Sequence, residues 1–184
     1  TARSRVETLR GNPFDYILGD PSIDRLPMAY PGELVPLLAL YRVRDEPDAS
    51  VSAFATSVAD EADRRPLSFL DTLNRRIFGM CQVRTRKEGA PLPPRVTLAE
   101  RGGACRDLAV LFADACRALG FGARFVSGYQ PGDLSEDTQD LHAWAEVYVP
   151  GGGWRGYDPT HGLSVAERHV AVAAGMRPEG AAPV

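Results

Sequence analysis

The hydrophobic pattern of this chain changes period once, around Gly120 and Gly122. Before those glycines, apolar residues recur at intervals of three and four; after them, they alternate. The first spacing is one face of a helix and the second is one face of a strand. Helices first and antiparallel strands second make an α+β fold, with N-terminal helices packed on an antiparallel β-sheet.

The helical half reads as follows. The first thirty residues are broken by Pro13, Pro21, Pro27 and Pro31 and form an ordered but irregular lead-in, in which Phe14, Tyr16, Ile17, Leu18 and Tyr30 call for burial. ELVPLLALY then predicts a short helix despite Pro36. Val51, Phe54, Ala55, Val58 and Ala62 follow at helical spacing behind Ser50, the expected N-cap. A third helix starts near Pro66, a good first-turn residue, with the stripe Leu70, Leu73, Asn74, Ile77 and Phe78. Residues 87–94 hold three prolines and a glycine and read as a loop; Thr97 to Glu100 reads as a short turn of helix. The last helix opens at Cys105 and ends at the glycines.

The second half reads as strands over Arg124 to Tyr129, His142 to Val149 and Trp154 to Asp158, with a short last strand over His169 to Val172. Residues 131–140 form a polar, acidic loop and 150–153 a turn. The last dozen residues look frayed.

Composition narrows the function classes. A chain of 184 residues fits one domain, and 44% hydrophobic with 24% charged residues is ordinary for a globular protein. A formal charge of -3 carries no nucleic-acid footprint, and Arg84, Arg86 and Lys87 read as solvated surface. No apolar run approaches the ~20 residues of a membrane span, and no signal peptide is visible. Three cysteines do not make a disulfide scaffold. Cys105 and Cys116 lie roughly 16 Å apart along one helix, while a Cys81–Cys105 pairing stays open. The expected compartment is the cytoplasm. The chain begins at Thr1 and is expected to be a fragment of a longer protein, whose missing segment would hide any targeting signal.

Three residues carry chemistry. Cys105 opens a helix whose stripe runs through Leu108, Ala109, Phe112, Cys116 and Leu119, so it faces inward. In the first turn, free N–H groups and the helix dipole favour a thiolate, the nucleophilic form. His142 shares a strand face with Trp144, Glu146 and Tyr148, opposite the small apolar face of Ala143, Ala145, Val147 and Val149. Asp158 ends the next strand, and a hairpin about Pro150 brings it near His142; direct pairing of the two needs a bulge. Each residue has a plain structural alternative: a buried core thiol, a half-buried imidazole on a carbonyl, and a strand-ending turn. As a set, Cys105 is the nucleophile, His142 the proton carrier and Asp158 the group that orients the imidazole. A metal site is the rival. No C-x-x-C or H-x-x-x-H spacing supports one, although His161 is close enough in sequence to be recruited. No cofactor is expected.

The stretches around these residues resemble the transglutaminase-like superfamily. Its bacterial members show G-x-C-R-D, H-A-W-x-E-V-Y and G-W-x-x-x-D-P-T, which stand here at Gly103 to Asp107, His142 to Tyr148 and, from Trp154, to Thr160. ARFVSGYQP and the leading NPFDYIL fit as well. The resemblance implies a papain-like core with a Cys105-His142-Asp158 triad. It implies glutamine transamidation, deamidation or hydrolysis of amide bonds in a peptide or protein substrate, with protease-like behaviour common among bacterial members. The core is expected over 66–175, after a helical lead-in at 1–65 and before a flexible tail at 176–184. Bacterial members often carry an N-terminal β-rich domain, absent here. Animal members use calcium, but Asp133 to Asp140 lacks the ligand spacing. Gln82 is the candidate second oxyanion donor, and Trp144 either walls the acyl pocket or fills core. The alternative reading is a non-catalytic peptide-binding module that retains the fold.

Overall fold

The computed structural model describes residues 6–9, 11–17, 24–86, 88–130 and 141–181. The helices are α1 (Leu34–Leu38), α2 (Ala49–Glu61), α3 (Pro66–Met80), α4 (Pro94–Glu100) and α5 (Cys105–Ala118). The strands are β1 (Gln82–Val83), β2 (Gly102–Gly103), β3 (Ala123–Tyr129), β4 (His142–Val149), β5 (Gly153–Asp158), β6 (Leu163–Ser164) and β7 (Val170–Gly175). Short 3-10 turns cover Leu40–Arg42 and Pro178–Ala181. The expected loop at 131–140 and the burial expected of Leu18 lie outside the described residues, as do Lys87 and the last three positions.

The change of period at Gly120 becomes the boundary between layers. β6-β5-β4-β3-β7 form one five-stranded sheet, antiparallel throughout. α5 packs on β4 and β3, with α2, α3 and α4 around it. Ala145, Val147 and Val149 share one buried cluster with Leu108, Leu111 and Phe112, and the Phe112 ring stacks on Tyr157 at 5.4 Å. The small face of β4 is what lets a helix lie this close. On the outer side, Asp114 of α5 pairs with Arg44 through two contacts of 2.9 and 2.8 Å. A two-stranded parallel pair, β1 with β2, delivers the chain into Cys105.

Four expectations change. α2 is capped by Asp48, not Ser50: the Asp48 carboxylate accepts the Ser50 and Val51 N–H groups. Phe78, assigned to the α3 stripe, is 50% exposed and instead lies against Gly162. Phe14 and Ile17 are exposed, so only Tyr16 and Tyr30 of the lead-in aromatics find cover. The end of the chain is more ordered than expected up to residue 181: β7 runs to Gly175, Ala181 is fully buried, and the Ser127 hydroxyl donates to its carbonyl.

Candidate active site

Cys105 is the first residue of α5. Ala104, at the N-cap, has no side-chain acceptor, so the helix start is held from the other direction. Asp107 reaches back and its Oδ2 accepts the Ala104 N–H at 2.7 Å. Its Oδ1 accepts the Leu92 N–H at 2.8 Å and the Arg86 guanidinium at 2.6 Å. Arg106 donates to the Arg86 and Glu88 carbonyls, each at 2.7 Å. The two residues after Cys105 thus clamp the preceding loop onto the helix start. Gly103 is needed for this approach, since a Cβ there would stand 2.7 Å from the Asp107 Cβ. Asp107 is fully buried and met by donors on both oxygens, which is how a buried carboxylate is tolerated.

β4 presents His142 on the face it shares with Trp144. The β4–β5 register pairs Ala145 with Tyr157, so the ladder places Asp158 one step beyond, alongside Trp144 and diagonal to His142. No bulge is needed: residues two apart on one strand face are within side-chain reach diagonally. The His142 Nε2 lies 2.7 Å from the Asp158 Oδ2. The Asp158 Oδ1 accepts the Thr160 N–H at 2.9 Å. One carboxylate therefore both closes the strand-ending turn at Asp-Pro-Thr and contacts His142.

Sequence reading missed one member. The His169 Nε2 lies 3.0 Å from the same Asp158 Oδ2. His169 immediately precedes β7, and its ring sits edge-on to Trp144 at 5.2 Å. The available signals were its place among only three histidines and its position at the start of the last strand. His161, the histidine considered for recruitment, has its ring 5.4 Å from that of His142 but makes no hydrogen bond to the Asp158 carboxylate.

The electrostatics follow from this packing. Burial disfavours the Asp158 charge, yet hydrogen bonds from His142 and His169 outweigh it, and the carboxyl is held far below the usual range. An ionised carboxylate only accepts, so both imidazoles turn Nε2–H toward it. Nδ1 is then the His142 ring nitrogen that the carboxylate does not engage. Burial works against the imidazolium, but the hydrogen bonds and charges of Asp158 and Cys105 raise His142 to about 9. Burial likewise opposes the Cys105 thiolate, and His142, with backbone N–H groups of Ala143 and Arg106, overcomes it and lowers the thiol pKa. Cys81 and Cys116 go the other way, pushed up by burial. All three cysteines are free, so the Cys81–Cys105 pairing is not made.

Trp144 is fully buried. With His169 it lines a cavity of about 280 Å³ behind the site, under Thr8 and Phe14 of the lead-in, and Cys105 is not part of that lining. Gln82 is exposed on β1, paired with Gly102 beside the approach to Cys105.

His142, Asp158 and His169 also offer three ligand atoms within 4.8 Å of one another. The two contacts to Oδ2, at 2.7 and 3.0 Å, are hydrogen-bond lengths. Ligands around a tetrahedral zinc stand roughly 3.3 Å apart, from bonds of about 2.0–2.1 Å. As arranged, the three groups fit a shared proton network better than a metal.

Residues 52–159 match the model of the transglutaminase-like superfamily. A protein-glutamine gamma-glutamyltransferase of Pseudomonas aeruginosa is 40% identical over 68 residues, which cover 33% of this chain and 10% of that protein. An uncharacterized protein of Mycobacterium tuberculosis is 33% identical over 123 residues, covering 61% of this chain and 39% of the relative. The chain thus spans well under half the length of these relatives. Among solved structures, a candidate cysteine protease from Cytophaga hutchinsonii superposes with a TM-score of 0.65 at 24% identity, over 88% of this chain and 53% of the other. That likeness is one of fold, the papain-like α+β core.

Proposed function

This chain belongs to the transglutaminase-like superfamily, and on that premise we propose that it is a cysteine-dependent enzyme that attacks amide bonds of peptides or proteins through a thioester. The observation that carries this reading is the 2.7 Å contact of Asp158 with the His142 ring, beside which the thiol of Cys105 at the start of α5 is lowered in pKa and the imidazole raised. Those opposite shifts favour a thiolate–imidazolium pair as the resting state, so the nucleophile is charged before substrate arrives.

The chemistry then runs in two halves. The Cys105 Sγ adds to the amide carbon, forming the C–S bond and moving the carbonyl electron pair onto oxygen. The Cys105 N–H, at the first position of α5, has no intrahelical acceptor and is a backbone donor available to that oxyanion. His142 gives its Nδ1 proton to the amide nitrogen as the C–N bond breaks, releasing the amine and leaving the thioester. Water or a second amine then adds to the thioester carbon, His142 takes its proton, and the C–S bond breaks. Asp158 holds the ring in the Nε2–H form throughout.

Turnover decides between the uses of this machinery. Ammonia release from glutamine-containing peptides, measured with and without an added primary amine, is expected in the wild type and absent in Cys105→Ala. Release unchanged by the amine assigns hydrolysis; consumption of the amine into the peptide assigns transamidation. Cleavage of the peptide backbone without ammonia assigns proteolysis. Binding without any turnover, on peptides and on casein as a general protein substrate, would overturn the enzymatic reading in favour of a binding module.

A further inference from the structure

We propose that His169 is a positioning residue of the site, which fixes the Asp158 carboxylate so that His142 keeps its Nδ1 aimed at Cys105. The proposal rests on the triad reading above and extends it by one residue.

Three observations carry it. First, two imidazole donors converge on one carboxylate oxygen, His142 at 2.7 Å and His169 at 3.0 Å, while the Thr160 N–H occupies the other oxygen. Asp158 is fully buried, so water does not hold its orientation. With His169 removed, Oδ2 would keep only the partner it is meant to orient. Second, the His169 side chain is itself almost completely buried, and its Nδ1 has no hydrogen-bond partner among the described residues. A buried polar ring with one side-chain bond is a poor choice for filling core, where an apolar side chain costs nothing in desolvation. That one bond goes to Asp158. Third, His169 is braced. Its N–H donates to the Ala166 carbonyl at 3.2 Å, its ring rests on Trp144, and the next residue enters β7. A fixed donor can fix an acceptor, and supporting groups of this kind preserve the alignment on which proton transfer depends. Among the described residues, the titratable groups around the set are Cys105, His142, His161 and Asp158, with Arg168 acting on His161; Glu146, on the same sheet face, is already paired with Arg124.

The test is the pH profile of Cys105 alkylation by iodoacetamide in the wild type, His169→Leu, His169→Gln and His169→Asn, with folding checked by circular dichroism. Gln can place an amide N–H near the position of Nε2; Asn is too short. Loss of the donor is expected to move the Cys105 midpoint up by about one pH unit in the Leu and Asn variants. Gln is expected to bring it back toward the wild type. Turnover on glutamine peptides should fall up to roughly 10²-fold in kcat in the same two variants, with KM little changed. If the folded Leu variant matches the wild-type profile, the proposal is overturned. Should Leu fail to fold, equal profiles for Gln and Asn overturn it instead. If wild-type Cys105 itself alkylates like an ordinary thiol, the triad reading fails first and the proposal falls with it.

Discussion

At the scale of single residues, the motif around the cysteine divides its labour in a way the sequence states only in part. Cys105 is legible as inward-facing because its stripe continues through Leu108 and Phe112, both buried. The work of its neighbours is not legible, because it runs to a loop whose path no periodicity predicts. Asp107 joins Ala104, Leu92 and Arg86 around the helix start. Asp107→Ala strands two N–H groups and one guanidinium and should cost on the order of 2–4 kcal/mol. Denaturant unfolding should show that loss, and Cys105 alkylation should slow in the protein that stays folded. Unchanged stability would mean the loop re-pairs elsewhere. His169 escaped sequence reading for a related reason: its partner lies eleven residues earlier, on a strand that is not its neighbour in the sheet.

At the scale of elements, periodicity placed the helices and strands well and the ends less well. β4 runs over His142–Val149 as its alternation implies, and α3 starts at Pro66 as its first-turn proline implies. Phe78 sits at the edge of the α3 stripe, where helical spacing alone does not separate core from rim, and it is half exposed. Asp48 outcompetes Ser50 as the α2 cap because its carboxylate reaches two N–H groups. The β4–β5 register was open in the sequence because turn geometry, not pattern, sets it; the hairpin closes on Val149 and Gly153. The register of β7 depends on Gly128. A Cβ there would stand 2.1 Å from the Val170 carbonyl oxygen and 2.7 Å from the Trp144 ring, at the point where the β3–β7 ladder shifts. Gly128→Ala should therefore destabilise by about 1–3 kcal/mol and displace His169 with the start of β7. The check is a lower unfolding midpoint together with a Cys105 alkylation profile shifted in the same direction as that of His169→Leu.

At the scale of the whole molecule, the site ties the helical layer to the sheet electrostatically. His142 is raised to about 9, by Asp158 and Cys105 against the opposing effect of burial. A group whose pKa is raised on folding contributes stability that is complete below its unfolded value, about 6.5, and is lost as pH climbs through its folded value. Asp158 is lowered, so its contribution is present above its own unfolded value and fades only in strong acid. The stability gap between the wild type and His142→Gln should thus be widest near pH 6 and close toward pH 10 in denaturant titrations. A gap that widens over that range would contradict the pairing. The same ionisations predict activity that rises as Cys105 loses its proton and falls as pH passes about 9, where the imidazolium needed for amine departure is lost.

The central claim is that Cys105, held at the start of α5 and paired to His142, forms a covalent acyl-enzyme. The direct measurement is mass spectrometry of the protein quenched in acid after brief exposure to a p-nitrophenyl acyl ester, followed by peptide mapping. The account predicts one acyl group on the peptide that contains Cys105, none on Cys81 or Cys116, and none at all in Cys105→Ala. Equal labelling of the three cysteines, or an unmodified Cys105 in folded protein, would contradict it.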